Sequence, residues 1–172
     1  NDIIGQAKTG TGKTLGFGIP MLEAVAGPGE EGWEELPDGA KGKPQGLVVL
    51  PTRELAKQVA QELSHAAAKR TVRIVELYGG RAYEPQQEAL AEGAEIVVGT
   101  PGRLIDLLRH RTLDLGRART VVLDEADEML DLGFLEDVER ILAVTPPTRH
   151  TMLFSATMPG PVVAMARRYM SK

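Results

Sequence analysis

The amino-acid sequence predicts one α/β domain with an open, mainly parallel β-sheet that carries helices on both faces. The first observation is that short β-branched runs alternate with longer amphipathic runs, which is typical of successive βαβ units. The second is that runs such as Val121-Val122-Leu123 are apolar without alternation, as expected for strands covered on both faces. The third is size and composition, since 172 residues with 42% hydrophobic and 26% charged residues suit one domain with a substantial core.

The elements are predicted in regular alternation along the chain. The strands are expected at residues 2–5, 47–50, 72–77, 95–98, 120–124 and 151–155. Helical patterns occupy residues 13–26, 53–69, 85–91, 103–109, 135–142 and 161–170. Pro101 after Thr100 is a typical helix start, because the first helical turn leaves unpaired the amide hydrogen that proline lacks. Neither an internal repeat nor a second domain is predicted.

The segment from residue 27 to 46 is rich in glycine, proline and glutamate and is predicted to be a mobile acidic surface loop. Within it, residues 28–46 hold five carboxylates against two lysines and contribute −3 to the net charge of −4. A bulk basic field for nucleic acid is therefore excluded, and any such contact must depend on individually placed groups. The single tryptophan, Trp33, either anchors a partner or is a loosely docked loop residue, and the second interpretation is favoured.

Other classes of site and location are limited by residue content. The sequence has no cysteine, which excludes disulfides and thiolate metal sites, and its three histidines are too scattered to suggest a metal cluster. There is no apolar run of membrane-spanning length and nothing at the start that resembles a signal peptide. A cytoplasmic location is the expectation.

A glycine-rich loop follows the first predicted strand and precedes the first predicted helix. Its residues are Ala7, Lys8, Thr9, Gly10, Thr11, Gly12, Lys13 and Thr14. Glycines let backbone N–H groups crowd around phosphate oxygens, and a helix start adds partial positive charge. Lys13 is predicted to reach the β- and γ-phosphates and Thr14 to ligate Mg²⁺. The usual pattern has glycine where Ala7 stands, and the alternative is a glycine-rich turn with an ordinary lysine. The loop predicts a site for a nucleoside triphosphate with Mg²⁺.

A cluster of acids follows the strand predicted at residues 120–124. Asp124 ends this apolar run and is predicted to hold Mg²⁺, partly through water, while Glu125 is predicted to act as the general base toward water. For Asp124 alone, the alternative is a helix N-cap. The predicted catalytic residues are thus Lys13, Asp124 and Glu125. Their assignment requires Lys13 and Asp124 to converge on one metal–triphosphate.

The residues Asp124-Glu125-Ala126-Asp127 spell the name of a family, and the chain resembles the first RecA-like domain of a DEAD-box RNA helicase. The resemblance extends over nearly the whole chain through the family's form of the phosphate loop, Pro51-Thr52-Arg53-Glu54-Leu55-Ala56 (motif Ia), Gly79-Gly80, Thr100-Pro101-Gly102-Arg103 (motif Ib) and Ser155-Ala156-Thr157 (motif III). Each motif lies at or just beyond the carboxyl end of a predicted strand. In an open parallel sheet, that edge is where ligands bind.

The resemblance implies roles for the remaining motif residues. Contacts with an RNA sugar–phosphate backbone, with little base specificity, would come from Thr52, Arg53, Gly79, Gly80, Thr100, Pro101, Gly102 and Arg103. Each has an alternative when taken alone, namely a turn for the glycine pair, solvated helix charges for motif Ia and a helix cap for Thr100. Ser155 and Thr157 would hydrogen-bond toward Asp127 and couple the ATP site to RNA; the alternative for them is a strand end before a helix cap.

The resemblance also implies elements that this chain does not contain. The family has an adenine-recognising Q motif upstream of the phosphate loop and a second RecA-like domain with an arginine finger, so the chain is expected to be part of a longer protein. Alone it should bind nucleotide weakly with almost no turnover, whereas the longer protein would couple ATP hydrolysis to local RNA unwinding. Two alternatives remain: a P-loop ATPase acting on DNA or on protein complexes, and a nucleotide-gated RNA-binding module without turnover.

Overall fold

The computed structural model of the protein describes residues 2–6 and 11–171. The strands are β1 (Ile3–Gln6), β2 (Gly46–Val49), β3 (Ile74–Leu77), β4 (Ile96–Gly99), β5 (Thr120–Leu123) and β6 (His150–Ser155). The helices are α1 (Thr11–Ala24), α2 (Arg53–Ala66), α3 (Tyr83–Glu92), α4 (Pro101–Arg109), α5 (Ala126–Asp131), α6 (Leu135–Ala143) and α7 (Gly160–Tyr169).

The strands form one sheet in the order β1-β6-β5-β2-β4-β3, and every neighbouring pair is parallel. All four residues of β2, β4 and β5 are buried, as the absence of alternation in their sequences predicts. The α/β prediction with a parallel sheet is confirmed. Because all strands point the same way, every strand-end motif lies along one edge of the sheet.

Helices cover both faces of the sheet, so the core has two layers. Successive strand residues point to opposite faces, and Leu47 and Val48 accordingly belong to different apolar clusters. One cluster holds residues of α1 and α2, including Phe17 and Leu63, while the other holds residues of α4 to α7, including Leu104. No helix in the described part of the chain is both long enough and apolar enough to span a membrane.

The main departure from the predicted elements is α5, which the sequence analysis did not predict. This helix has only six residues, fewer than two turns, and so presents no periodic pattern to read. Smaller differences occur at helix ends: α2 stops at Ala66 instead of residue 69, and α3 begins at Tyr83 instead of residue 85. Helix ends are weakly marked by sequence because the terminal turn frays.

The acidic segment is a series of turns that is tied to the domain through Glu30. Arg70 donates from Nη2 to Glu30 Oε1 (2.7 Å) and from Nε to Glu30 Oε2 (2.9 Å). The same guanidinium also donates to the carbonyl of Val25, just beyond α1, at 2.9 Å. Trp33 is half-buried, and its backbone N–H donates to the Glu30 carbonyl. Glu30 therefore links this segment to the end of α1, while the mobility of the rest of it stays a prediction.

Glu30→Gln is expected to lower the free energy of unfolding by about 1–2 kcal/mol at pH 7, since it breaks a partly buried bidentate ion pair. The hydrogen bonds from Arg70 lower the pKa of Glu30 to about 2 from an ordinary 4.5. Because the folded-state pKa is depressed, this stabilisation is fully present above the unfolded pKa and is lost as pH falls toward 2. Urea unfolding at pH 7, 5 and 3 measures the free energy of unfolding of wild type and variant. The difference between the two should become smaller as the pH falls.

Glu34→Gln is the matched control for this prediction. Glu34 pairs with Lys41, but the Glu34 side chain is 80% exposed. Glu34→Gln should therefore lower the free energy of unfolding by no more than about 0.5 kcal/mol. An equal loss for both variants, or a Glu30→Gln effect that does not change with pH, would contradict the assignment.

Candidate nucleotide and nucleic-acid site

Lys13, near the start of α1, lies against both acids that follow β5. Its Nζ is 2.8 Å from Asp124 Oδ1 and also donates to Glu125 Oε2. The contact is largely shielded from water, because the side chains of Lys13 and Asp124 are 10% and 3% exposed. Only β6 separates β1, which precedes Lys13, from β5. The predicted convergence of Lys13 and Asp124 is present.

The backbone at Glu125 explains how two consecutive acids reach one lysine. Along a strand, neighbouring side chains point to opposite faces. Here β5 ends at Leu123, and Glu125 adopts a left-handed conformation (φ 56°, ψ 47°) before α5 begins. The left-handed backbone conformation costs a non-glycine residue about 1–2 kcal/mol of conformational free energy. The Glu125 N–H donates to Asp124 Oδ1 at 2.9 Å, which helps to hold the turn.

The electrostatics of this cluster favour an additional cation. Burial raises the pKa of Asp124, and the hydrogen bond and charge of Lys13 offset only part of that rise. Burial lowers the pKa of Lys13, but the hydrogen bonds and charges of Asp124 and Glu125 outweigh it and leave the pKa above its ordinary value. One buried ammonium group thus faces two carboxylates, and a bound cation would relieve the remaining repulsion.

The residues around this cluster fit Mg²⁺. Thr14, which is buried, lines a cavity of about 20 Å³ together with Lys13, Asp124 and Glu125. Hydroxyl and carboxylate oxygens are the ligand type that Mg²⁺ takes, usually with water and substrate phosphates completing its shell. Thr14 and Asp124 are therefore suitable ligands in position and in chemistry.

Part of the predicted phosphate loop is not described. Ala7, Lys8, Thr9 and Gly10 lie outside the described residues, and Thr11 and Gly12 form the start of α1. The nucleotide-binding roles predicted for these residues stay predictions. On either side of these residues, β1 ends at Gln6 and α1 begins at Thr11.

A second contact joins Asp127 to the end of β6. Thr157 donates to Asp127 Oδ2 from its backbone N–H (3.0 Å) and from its hydroxyl (2.8 Å). The backbone N–H of Asp127 donates to Ser155 Oγ at 3.0 Å. Burial raises the pKa of Asp127, but hydrogen bonds, chiefly from Thr157, outweigh it and leave that pKa below its usual value. The contacts expected from the family resemblance are present, and these hydrogen bonds favour the ionised form of Asp127.

The motif Ia arginine and the glycine turn after β3 lie side by side. Arg53 Nη1 is 3.5 Å from the Gly80 carbonyl oxygen, and its guanidinium lies over the Tyr78 ring, 5.9 Å from the centroid. Gly80 has φ 78°, and a Cβ there would lie 3.1 Å from Arg53 Nη1. Both the conformation and the approach of Arg53 favour glycine at this position.

The motif Ib arginine is held by residues that follow β3. Arg103 donates from Nη1 to Gln86 Oε1 (2.9 Å) and from Nη2 to the Arg81 carbonyl (3.2 Å). Its guanidinium lies over the Tyr83 ring, 5.4 Å from the centroid. Nothing in the local sequence distinguishes Gln86, Tyr78 and Tyr83 from ordinary helix and strand residues, so none of the three was predicted to contact these arginines.

The predicted cap at Thr100 differs from Thr52, which also precedes a helix but was not predicted as a cap. Thr52 caps α2 by accepting from the Leu55 N–H at 3.3 Å, whereas Thr100 occupies the N-cap position of α4 without a side-chain capping bond. The cap interpretation therefore accounts for the hydroxyl of Thr52 but not for that of Thr100. Gly102 follows in the first turn of α4 and is exposed.

The sheet order separates the candidate residues into two groups. Strands β1, β6 and β5, which occupy one half of the sheet, precede or carry Lys13, Asp124, Glu125, Ser155 and Thr157. Strands β2, β4 and β3 form the other half and precede Thr52, Arg53, Gly79, Gly80 and Thr100. The candidate residues thus lie along one edge of the sheet, in one group around the contact of Lys13 with Asp124 and a second group around Arg53 and Arg103.

The six-stranded parallel sheet with helices on both faces is the architecture of RecA-like domains, and the contact of Lys13 with the acids after β5 fits that class. More particularly, the family model for DEAD/DEAH box helicases matches residues 1–166, and the chain belongs to that family. Solved structures with the same fold include a DEAD box protein from Methanococcus jannaschii, with a TM-score of 0.88 and 41% identity over 99% of this chain and 43% of that one. The yeast DEAD-box splicing factor Prp28 has a TM-score of 0.85 and 33% identity, over 99% of this chain and 40% of its own.

Curated relatives are considerably longer than this chain. The DEAD-box ATP-dependent RNA helicase CshA of Bacillus cereus is 49% identical over 99% of this chain, which spans 30% of that relative's length. The chloroplastic DEAD-box ATP-dependent RNA helicase 3A of Zea mays is 50% identical over 99% of this chain and 22% of its own length.

Proposed function

We propose that this domain is the ATP-binding and RNA-binding half of an ATP-dependent RNA helicase that couples hydrolysis to local unwinding or remodelling of RNA. The observation that carries the proposal is the convergence of Lys13 on Asp124 and Glu125. Membership of the DEAD/DEAH box family and relatives named as ATP-dependent RNA helicases support it.

At the nucleotide half of the edge, Lys13 exchanges its two carboxylate partners for phosphate oxygens of ATP. Thr14 and Asp124 would hold Mg²⁺, which would supply charge neutralisation at the phosphates. Glu125 orients a water molecule whose oxygen attacks the γ-phosphorus as the bond to the ADP oxygen breaks, and the water proton passes to the Glu125 carboxylate. Burial of this cluster supports the assignment, because charge interactions are stronger away from water.

At the other half, the start of α4 and the exposed glycines at positions 79, 80 and 102 present backbone N–H groups to RNA phosphates. Arg53 and Arg103 add charge beside them. These contacts involve sugar and phosphate, so base specificity should be low, and the 2′-hydroxyl distinguishes RNA from DNA. The net charge of −4 fits a site built from a few placed groups.

Coupling between the two halves is proposed to pass through Asp127. Its carboxylate accepts both hydrogen bonds from Thr157, so a movement of α5 would shift the end of β6 as well. A second RecA-like domain in the same protein is the proposed partner that closes over both ligands, and the greater length of the relatives supports it. Domain closure would bend one RNA strand and separate a short duplex.

RNA and DNA of the same sequence provide the test. ATP hydrolysis by the full-length protein should be stimulated at least about tenfold more by single-stranded RNA than by DNA, because the site reads the 2′-hydroxyl. Steady-state phosphate release with each oligonucleotide at fixed salt makes the comparison. Equal stimulation would favour the alternative of a DNA-directed ATPase, and binding of both ligands without turnover would favour a nucleotide-gated RNA-binding module.

A further inference from the structure

Gln86 is a buried glutamine of α3 that bridges two motifs of the candidate RNA surface. Its Nε2 donates to the Tyr78 carbonyl at 3.0 Å, directly before the Gly79-Gly80 turn. Its Oε1 accepts from Arg103 Nη1 at 2.9 Å. Gln86 is 7% exposed, so solvent has little access to replace either bond.

The two contacts require an amide in one orientation. Turning the amide over would place its NH₂ against the guanidinium donor of Arg103 and its oxygen against the Tyr78 carbonyl. Glutamate would lose the donor, and methionine, which has similar length, would lose both groups. Glutamine therefore supplies the donor that Tyr78 needs and the acceptor that Arg103 needs, on a side chain long enough to contact both.

Arg103 is held on three sides by this arrangement. Gln86 Oε1 and the Arg81 carbonyl each accept from one terminal nitrogen, and the Tyr83 ring lies beneath the guanidinium. A long arginine side chain normally loses conformational freedom when it binds a ligand. Holding the guanidinium beforehand reduces that loss, and the remaining N–H donors keep a defined direction.

We infer that Gln86, anchored on the Tyr78 carbonyl, is a positioning residue that holds Arg103 in the orientation that binds an RNA phosphate. This inference rests on the proposed function. The neighbouring Gln87 has no part in this arrangement, since its amide donates to Thr112 Oγ1 at 3.4 Å. Gln87 therefore offers a control of the same residue type on the same helix.

The test is a double-mutant cycle between Gln86→Met and Arg103→Ala, read as the dissociation constant for a labelled single-stranded RNA by fluorescence anisotropy. Gln86→Met should weaken binding about 3–10-fold, the range of one typical net hydrogen bond, and Gln87→Met should stay within about twofold of wild type. In the Arg103→Ala background, Gln86→Met should have no further effect, because the group that it positions is absent.

The outcomes separate the inference from the proposed function. If Arg103→Ala leaves RNA affinity unchanged, the proposed RNA role of Arg103 fails and the inference fails with it. If Arg103→Ala weakens binding but the two effects add, or Gln86→Met has no effect, only the inference is overturned. Should Gln86→Met fail to fold, Gln86→Asn takes its place in the same cycle, since asparagine keeps the amide but is too short to bridge both partners.

Discussion

Lys13→Ala is expected to weaken binding of ATP with Mg²⁺ by at least about a hundredfold, since removing one partner of a buried charged contact costs about 2–5 kcal/mol. The physical reason is twofold. The variant loses the ammonium group proposed to hold the phosphates, and it leaves Asp124 and Glu125 to repel an anionic ligand without the cation that they share in the structure. Isothermal titration calorimetry on the 172-residue chain measures the effect directly.

Lys57→Ala is the matched control for this substitution. Lys57 is an exposed lysine on α2, so its removal changes the net charge equally and should leave ATP affinity within about twofold. Thermal unfolding by circular dichroism should show both variants folded at the temperature of the titration. Unchanged ATP affinity in folded Lys13→Ala would overturn the assignment of the phosphate loop.

Glu125→Gln is expected to lower the rate of ATP hydrolysis by about 10²–10⁴-fold in the full-length protein, the usual contribution of a general base. Binding should be kept, because the substitution leaves in place Lys13, Thr14 and Asp124, the groups proposed to hold the phosphates and Mg²⁺. The variant should consequently retain ATP and RNA together. Single-turnover hydrolysis with quenched samples measures the chemical step, and nitrocellulose retention of labelled RNA with ATP measures the trapped complex.

Glu128→Gln makes the same chemical change three residues further on, in α5. Glu128 is half-buried, and its backbone N–H donates to Asp127 Oδ1. Its side chain has no proposed part in hydrolysis, so turnover should stay within about threefold of wild type. A comparable loss of ATP hydrolysis in both variants would mean that hydrolysis depends on the negative charge of this segment. It would contradict the role of Glu125 as a general base. Full turnover in Glu125→Gln would remove Glu125 from the proposed chemistry.

Local sequence information was sufficient for most of the fold. The β2, β4 and β5 strands were predictable because each is a short, continuous apolar run, and the structure places all three inside the sheet. It was insufficient for α5, whose six residues carry no helical period. The left-handed backbone at Glu125 was also unpredictable, because that conformation is uncommon for glutamate and has no marker in the residues around it.

By itself, the sequence determined which residue types stand at the ends of which strands, and therefore which chemistry is available along one edge of the sheet. Only the tertiary structure decided which of these residues touch. The order β1-β6-β5-β2-β4-β3 brings Lys13 to Asp124, and it brings Arg53 and Arg103 to the residues that follow β3. The tertiary structure likewise determines the contacts of Glu30 with Arg70 and of Gln86 with Arg103. The physical reason is that periodicity reports the environment of one segment at a time, whereas such contacts depend on which segments become neighbours after folding.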